Sequence, residues 1–168
     1  GKEPVVFGKD LWQNVAMTDE DFPSIDFDSV SPFAIGKIKH GDSNPLTLYA
    51  APLGAGADLS KHGAGGSPWK MVCDVADSVS EFAVHGGDIY LMSAKGAPRF
   101  KVLRTSLAAP AIAHAETVVP PGELVVAGLA VAKDGLYVQF RHGAAGSVAR
   151  LAWEGGAKFE MLALPDGF

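Results

Sequence analysis

Two stretches of the chain repeat one pattern, with their central tyrosines, Tyr90 and Tyr137, forty-seven residues apart. The first reads Gly87-Asp-Ile-Tyr-Leu-Met-Ser-Ala-Lys-Gly96, then Pro98-Arg-Phe-Lys-Val-Leu-Arg104. The second reads Asp134-Gly-Leu-Tyr-Val-Gln-Phe-Arg-His-Gly143, then Ser147-Val-Ala-Arg-Leu-Ala152. A looser copy is Phe33-Ala-Ile-Gly-Lys-Ile-Lys-His-Gly41 followed by Leu46-Thr-Leu-Tyr-Ala50. Each is a turn, a strand, a hairpin loop with a basic residue and glycine, and a second strand. A repeat of this length built only from strands is the pattern of β-propeller blades, which bury their faces against neighbouring copies. The chain holds about three such units. Three blades do not close a ring, so the expectation is an all-β propeller fragment belonging to something larger.

The strand pattern puts four antiparallel strands in each blade, over residues 22–75, 79–119 and 125–164. Residues 1–21 read as the outer strand and linker of a preceding blade, with Val5-Val-Phe7 as a short strand. Turns at His85-Gly-Gly-Asp88, Lys133-Asp-Gly135 and Glu154-Gly-Gly156 supply the positive φ of tight hairpins. Residues 54–67, rich in glycine and alanine, read as the most flexible loop. The innermost strands of the second and third blades contain the uncharged runs Phe82-Ala-Val84 and Val126-Ala-Gly-Leu-Ala-Val131, as expected where strands converge on a central channel. An isolated arc is then expected to leave two apolar sheet faces bare at its ends, which favours self-association.

Composition narrows the function. With 48% hydrophobic and 20% charged residues the 168-residue chain is globular. A net charge of −5 with no Lys/Arg run speaks against a nucleic-acid or anionic-membrane partner. A single cysteine, Cys73, excludes an internal disulfide and a multi-cysteine zinc site, and its apolar surroundings read as a buried strand thiol. No apolar run is long enough for a membrane helix and no signal-peptide pattern opens the chain. The expectation is a soluble protein, cytoplasmic or periplasmic.

The common catalytic signatures are missing. Gly65-Gly-Ser-Pro-Trp69 lacks the last glycine of a nucleophile elbow, and no Walker A or His-Glu-x-x-His string occurs. The acidic run Asp19-Glu-Asp21, with Asp26 and Asp28, has no EF-hand spacing and reads as a solvated turn, so no metal and no cofactor are expected. What remains is a row of hairpin loops: Lys39-His-Gly-Asp42, Lys95-Gly-Ala-Pro-Arg99 and Arg141-His-Gly143. In a propeller these share one face and give it a positive rim, and loops on a rigid scaffold commonly carry function.

Residues 84–105, Val-His-Gly-Gly-Asp-Ile-Tyr-Leu-Met-Ser-Ala-Lys-Gly-Ala-Pro-Arg-Phe-Lys-Val-Leu-Arg-Thr, resemble a blade of the prolyl oligopeptidase family of serine peptidases. In that family a blade reads as a turn, Leu/Ile-Tyr-Leu, a loop with Ala-Pro-Arg, then Phe/Tyr-Lys-Val/Leu. Glu116-Thr-Val-Val-Pro-Pro121 is similar to the next outer strand, and Lys39-His-Gly with Leu46-Thr-Leu-Tyr-Ala-Ala-Pro52 to the preceding blade. Asp28-Ser-Val-Ser-Pro32 stands where the family commonly has Ser-Pro-Asp-Gly, and nothing matches the α/β-hydrolase domain with its Ser-Asp-His triad. The resemblance implies part of a seven-bladed, non-catalytic propeller that restricts access of short peptides to a post-proline cleaving site. Its partners would be the missing blades and the catalytic domain. It also implies a substrate-cavity rim at Phe22, Pro23, His40, Asp42, Lys95, Arg99, Arg141 and His142. The rival reading is a stand-alone binding or scaffold module completed by self-association.

Overall fold

The chain forms three antiparallel four-stranded sheets, each running in chain order from one edge to the other. The first holds β1 (Asp21–Phe27), β2 (Phe33–His40), β3 (Leu46–Pro52) and β4 (Lys70–Cys73). The second holds β5 (Val79–His85), β6 (Asp88–Ser93), β7 (Lys101–Ser106) and β8 (Glu116–Val119). The third holds β9 (Val125–Val131), β10 (Gly135–His142), β11 (Ala145–Ala152) and β12 (Phe159–Leu162). The structure, a computed structural model, describes residues 7–28, 31–53, 67–153 and 159–162. Helix is limited among these residues to two single 3₁₀ turns, Val75–Asp77 and Ile112–His114. The all-β, four-strand-per-blade reading of the repeat is what the chain adopts. The first and second sheets even shift register at the same place, between their third and fourth strands.

β6 shows why the middle blade is so apolar. Its run Ile-Tyr-Leu-Met has no wet face. Ile89 and Leu91 join Ile35, Leu48 and Val72 in the cluster between the first two blades. Tyr90 and Met92 join Val126, Leu136 and Val138 between the second and third. Each fully buried aliphatic side chain there stabilises the stack by about 1.5–3 kcal/mol.

The two end faces differ from the bare apolar surfaces expected. On the first blade, Ala34, Ile38, Tyr49 and Ala51 point away from the second blade and are covered by the chain's own residues 7–17. Phe7, Trp12 and Val15 are the anchors, at 6%, 5% and 2% exposure. Two hydrogen bonds fix this segment: Asn14 Nδ2 donates to Trp69 O at 2.8 Å, and the Tyr49 hydroxyl donates to Asn14 O at 3.2 Å. Phe7 is thus a packing anchor outside any strand, and the rest of the expected strand, Val5 and Val6, lies outside the described residues. On the third blade the far face carries Tyr137, Gln139, Arg141, Arg150 and Glu160, with the half-buried Val148 and Leu162 among them, the partners across β10–β12 that alternate with the buried ones. Arg150 there bonds Asp134 at 2.9 Å and Glu160 at 2.7 Å. Neither end face is the bare apolar surface expected: one is self-covered, and the other is mixed, because the outward side chains of β10 are polar while Val148 and Leu162 share their face. Most of the 54–67 loop and the expected end of the last strand at 163–164 lie outside the described residues.

Candidate functional site

The equivalent hairpins β2–β3, β6–β7 and β10–β11 are brought to one rim, and hydrogen bonds between loops establish it. Thr47, at the start of β3, donates to Asp74 Oδ1 at 3.0 Å in the connection leading to the second blade. That connection meets the β6–β7 loop: Ser93 Oγ donates to Asp77 O at 2.6 Å, Ala94 N to Ser78 O at 3.0 Å, and Lys95 Nζ lies 3.6 Å from Asp77 Oδ1. The β6–β7 loop in turn accepts at Arg99 O from Val126 N at 3.0 Å. Val125, next to it, pairs with Arg141 at the mouth of the β10–β11 turn.

Each expected rim residue can now be placed. Phe22 and Pro23 open β1 opposite Lys39 and Ile38, beside His40 and the Asp42 turn. Phe22 is 63% exposed. Asp42 is exposed and follows Gly41, whose φ of 54° turns the hairpin. Arg99, Arg141 and His142 are exposed, and Gly96 and Gly143 hold their loops at φ 63° and 61°. The rim is less positive than the sequence suggests. Lys95 faces Asp77, and His40 Nδ1 lies 2.7 Å from Asp21 Oδ1.

His40 is the centre of a chain from β1 across β2 and β3 to the connection that follows β4. Its Nε2 lies 2.7 Å from Thr47 Oγ1, whose proton goes to Asp74. Asp-His-hydroxyl is the order of an acyl-transfer relay, which needs a free, attacking hydroxyl. Thr47 is 4% exposed and already engaged, so the chain acts as a tie between strands. Asp21 is held below the usual carboxylate range. The Thr18 backbone N–H is the largest cause, opposed by burial and helped by His40 and the Thr18 hydroxyl. Asp74 caps the 3₁₀ turn reciprocally with Asp77. The acidic run is dispersed among partners: Asp19 pairs with Lys9, Asp21 with His40, Asp26 with Lys37. Among the described residues no three His, Cys, Asp or Glu side chains converge as a metal site.

Behind the rim a cleft of about 530 Å³ opens between β1–β2 and β5. Lys37, Lys39, Asn44, Ser80, Glu81 and Phe82 line it. Sequence reasoning missed this site. The available signal was Lys37 and Lys39, which follow Ile35 on the face of β2 that should be packed with apolar side chains against the next blade.

No protein-family model and no curated protein matches the chain. Solved structures do. One of two prolyl endopeptidases studied for inter-domain dynamics in catalysis and specificity superposes with a TM-score of 0.66 at 20% identity, over 87% of this chain and 20% of its own. The fold is that of part of a prolyl oligopeptidase propeller. Oligopeptidase B from Leishmania major gives a TM-score of 0.67 at 12% identity, over 88% of this chain and 20% of its own. Prolyl oligopeptidase B from Galerina marginata, bound to a 35mer hydrolysis and macrocyclization substrate, gives 0.66 at 16% identity, over 86% and 19%. The chain thus spans about a fifth of the length of the peptidases whose propeller it matches. No helix among its described residues is long and apolar enough to cross a membrane.

Proposed function

We propose that this propeller arc belongs to a prolyl oligopeptidase-like serine peptidase, where it limits access of short peptides to a post-proline cleaving site in an α/β-hydrolase domain. The arc contributes no catalytic group. The missing blades and the catalytic domain are its partners, and the rim of Phe22, Pro23, His40, Asp42, Lys95, Arg99, Arg141 and His142 lines the substrate cavity. The observation that carries this reading is a fold match over nearly the whole arc to prolyl endopeptidases, combined with hairpin loops gathered at one rim. Charges at the mouth of a low-dielectric cavity steer ligands while adding little to folding, about 0–1 kcal/mol each.

The test is the full-length parent with Lys95, Arg99 and Arg141 neutralised together. Expected are a lowered kcat/KM for carboxylate-bearing proline peptides, a flatter dependence on ionic strength and an unchanged melting temperature. An unchanged rate and salt slope would remove the rim from substrate handling. A parent that does not cleave after proline would overturn the whole reading.

The covered first-blade face and the partly polar third-blade face favour a second reading, a stand-alone binding or scaffold module. Light scattering on the chain bears on its form. A dimer supports the module completed by self-association, and a cooperatively melting monomer removes that variant.

A further inference from the structure

We propose that the cleft between the first two blades holds the C-terminal end of an apolar peptide. The carboxylate sits at Lys37 and Lys39 near the hairpin rim, and an apolar side chain two residues earlier sits in a hollow beside Phe82. The peptide as occupant rests on the peptidase reading above; the arrangement of charge and apolar surface stands without it.

The face that the first blade turns to the second changes character along β2. Phe33 and Ile35 pack with the core between the two blades. Lys37 and Lys39 continue the same alternation toward the hairpin rim, opposite Leu48 and Leu46 of β3. Both line the cleft, and Phe82 of β5 forms its other wall. The charges there leave one cation over. Lys37 Nζ lies 3.7 Å from Asp26 Oδ2. Glu81 also borders the cleft, but it pairs with Met92 on the side that packs toward the third blade. Its Oε2 lies 3.7 Å from where a Cβ on Gly128 of that blade would stand, so its carboxylate is turned away from the lysines. The Lys39 side chain has no ion-pair or hydrogen-bond partner among the described residues. One uncompensated positive charge matches one carboxylate. Ser43 and Asn44 of the first hairpin add neutral polar groups at the mouth.

A second hollow of about 170 Å³ adjoins the cleft. It shares Asp26 and Phe82 with it and continues along Phe33, Ile35 and Val84. An apolar cavity of about 150 Å³ takes up a benzene, so this hollow has room for one aromatic or branched side chain. Ile35 stands two residues from Lys37 on β2, and an extended ligand covers that span, about 7 Å, in two residues. Asp26 and Asp28 border the second hollow and set the direction, because a carboxylate is repelled there and attracted at the lysines. Asp26 borders both hollows, where its carboxylate can accept an N–H from the ligand. A peptide backbone brings that donor. A hydrocarbon acid of equal charge does not, and covering a carboxylate without a donor is costly.

The test is titration of the chain with acetyl-Phe-Ala-Gly as the free acid, its C-terminal amide, acetyl-Ala-Ala-Gly and octanoate, followed by amide chemical shifts. The free acid should bind, with shifts at Ile35, Lys37, Lys39, Phe82 and Val84. The amide should bind about fivefold more weakly, the size an exposed ion pair reaches. Loss of the phenyl group should weaken binding about tenfold, as expected for a half-buried ring. Octanoate should bind more weakly than the free acid. Lys39→Met, at an exposed position, should erase the difference between acid and amide and keep that between phenylalanine and alanine, and Lys39→Arg should behave as wild type. Absence of saturable binding, equal binding of acid and amide, octanoate that matches the peptide, or a Lys39→Met variant that weakens acid and amide alike would overturn the proposal. The peptidase reading is judged separately by cleavage in the parent. Binding without cleavage there would sink that reading and leave the cleft, and cleavage without binding here would do the opposite.

Discussion

Gly36 on β2 tests whether residues 7–17 truly seal the first blade. A Cβ added there would stand 2.6 Å from Phe7 Cε2 and 2.7 Å from Cζ. Carbon atoms in contact prefer about 3.5–4.0 Å, so the ring would have to retreat by roughly 1 Å. It has little room: Trp69 and Tyr49 flank it at ring-centroid distances of 4.8 and 6.0 Å, and both are buried. The backbone at Gly36 has no positive φ, so alanine itself is unstrained. Replacing glycine also removes freedom from the unfolded chain, worth about 0.4–1 kcal/mol in favour of the fold. Overpacking costs about 1–3 kcal/mol. The net expectation for Gly36→Ala is a loss of about 1–2 kcal/mol.

Phe7→Ala alone should cost about 3 kcal/mol, the low end for a buried phenylalanine. With the ring gone the clash is gone, so Gly36→Ala in that background should be neutral or slightly stabilising. The coupling between the two sites should then be about 2 kcal/mol, well above the additivity error of about 0.5 kcal/mol. Equilibrium urea unfolding of the four proteins, with a common m-value, measures it. Additive changes would refute the packing of Phe7 on Gly36, and with it the account of why the first blade has no bare face.

Three further outcomes follow from the same contacts. Asp21 has its folded pKa below the ordinary 3.8, so its contribution is present above that value and is lost as pH falls through the lowered one. Asp21→Asn should therefore cost about 1–2 kcal/mol at neutral pH, and the difference from wild type should shrink progressively in unfolding curves as the pH is taken down below 3.8. Burial, reinforced by Asp77, pushes the Cys73 thiol up to about 12, so iodoacetamide at pH 8 should label it only after urea unfolds the chain. Trp153 stacks on His85 with ring centroids 3.7 Å apart and planes 4° from parallel, joining the third blade to the second. Trp153→Ala should cost about 2–3 kcal/mol, less than a fully buried tryptophan, as read by thermal melting.

The strands and their grouping were legible because the repeat carries its own register: Tyr90 and Tyr137 occupy equivalent places in β6 and β10. The rim was legible for the same reason, since equivalent hairpins in stacked blades must emerge on one side. What the repeat could not convey was which charges are already used. Asp77 is far from Lys95 in sequence and reaches it only because the 3₁₀ turn at the end of the first blade folds under the next hairpin. The fate of the end faces was hidden too. Trp12 and Val15 sit in a stretch without strand periodicity, so nothing local says that they cover Ile38 and Tyr49. Thr47 and Asp74 read as an ordinary strand residue and an ordinary cap; only the strand order places His40 between Thr47 and Asp21.

The two rims of the arc are built differently, and the difference bears on where function sits. At the far rim the blades are clasped by Ser31 Oγ donating to Gly86 O at 2.7 Å and by the His85–Trp153 stack, with Trp153 held in its own blade by Nε1 donating to Ala132 O at 2.9 Å. These contacts consume the polar and aromatic groups that make them. At the hairpin rim the ties run at the loop bases, through half-buried Asp21, His40 and Asp77, buried Thr47 and exposed Asp74, and leave Lys39, Arg99, Arg141 and His142 exposed. A network fixed to the strands orders the loop bases while the loop tips stay free to meet a ligand, which is how a rigid scaffold lowers the entropic cost of binding. Substitutions in these ties should therefore change stability first and binding second, and substitutions at Lys39, Arg99 or Arg141 the reverse. The cleft lined by Lys37 and Lys39 also reaches this rim, through Ser43 and Asn44 of the first hairpin, where the loops can act on whatever enters it.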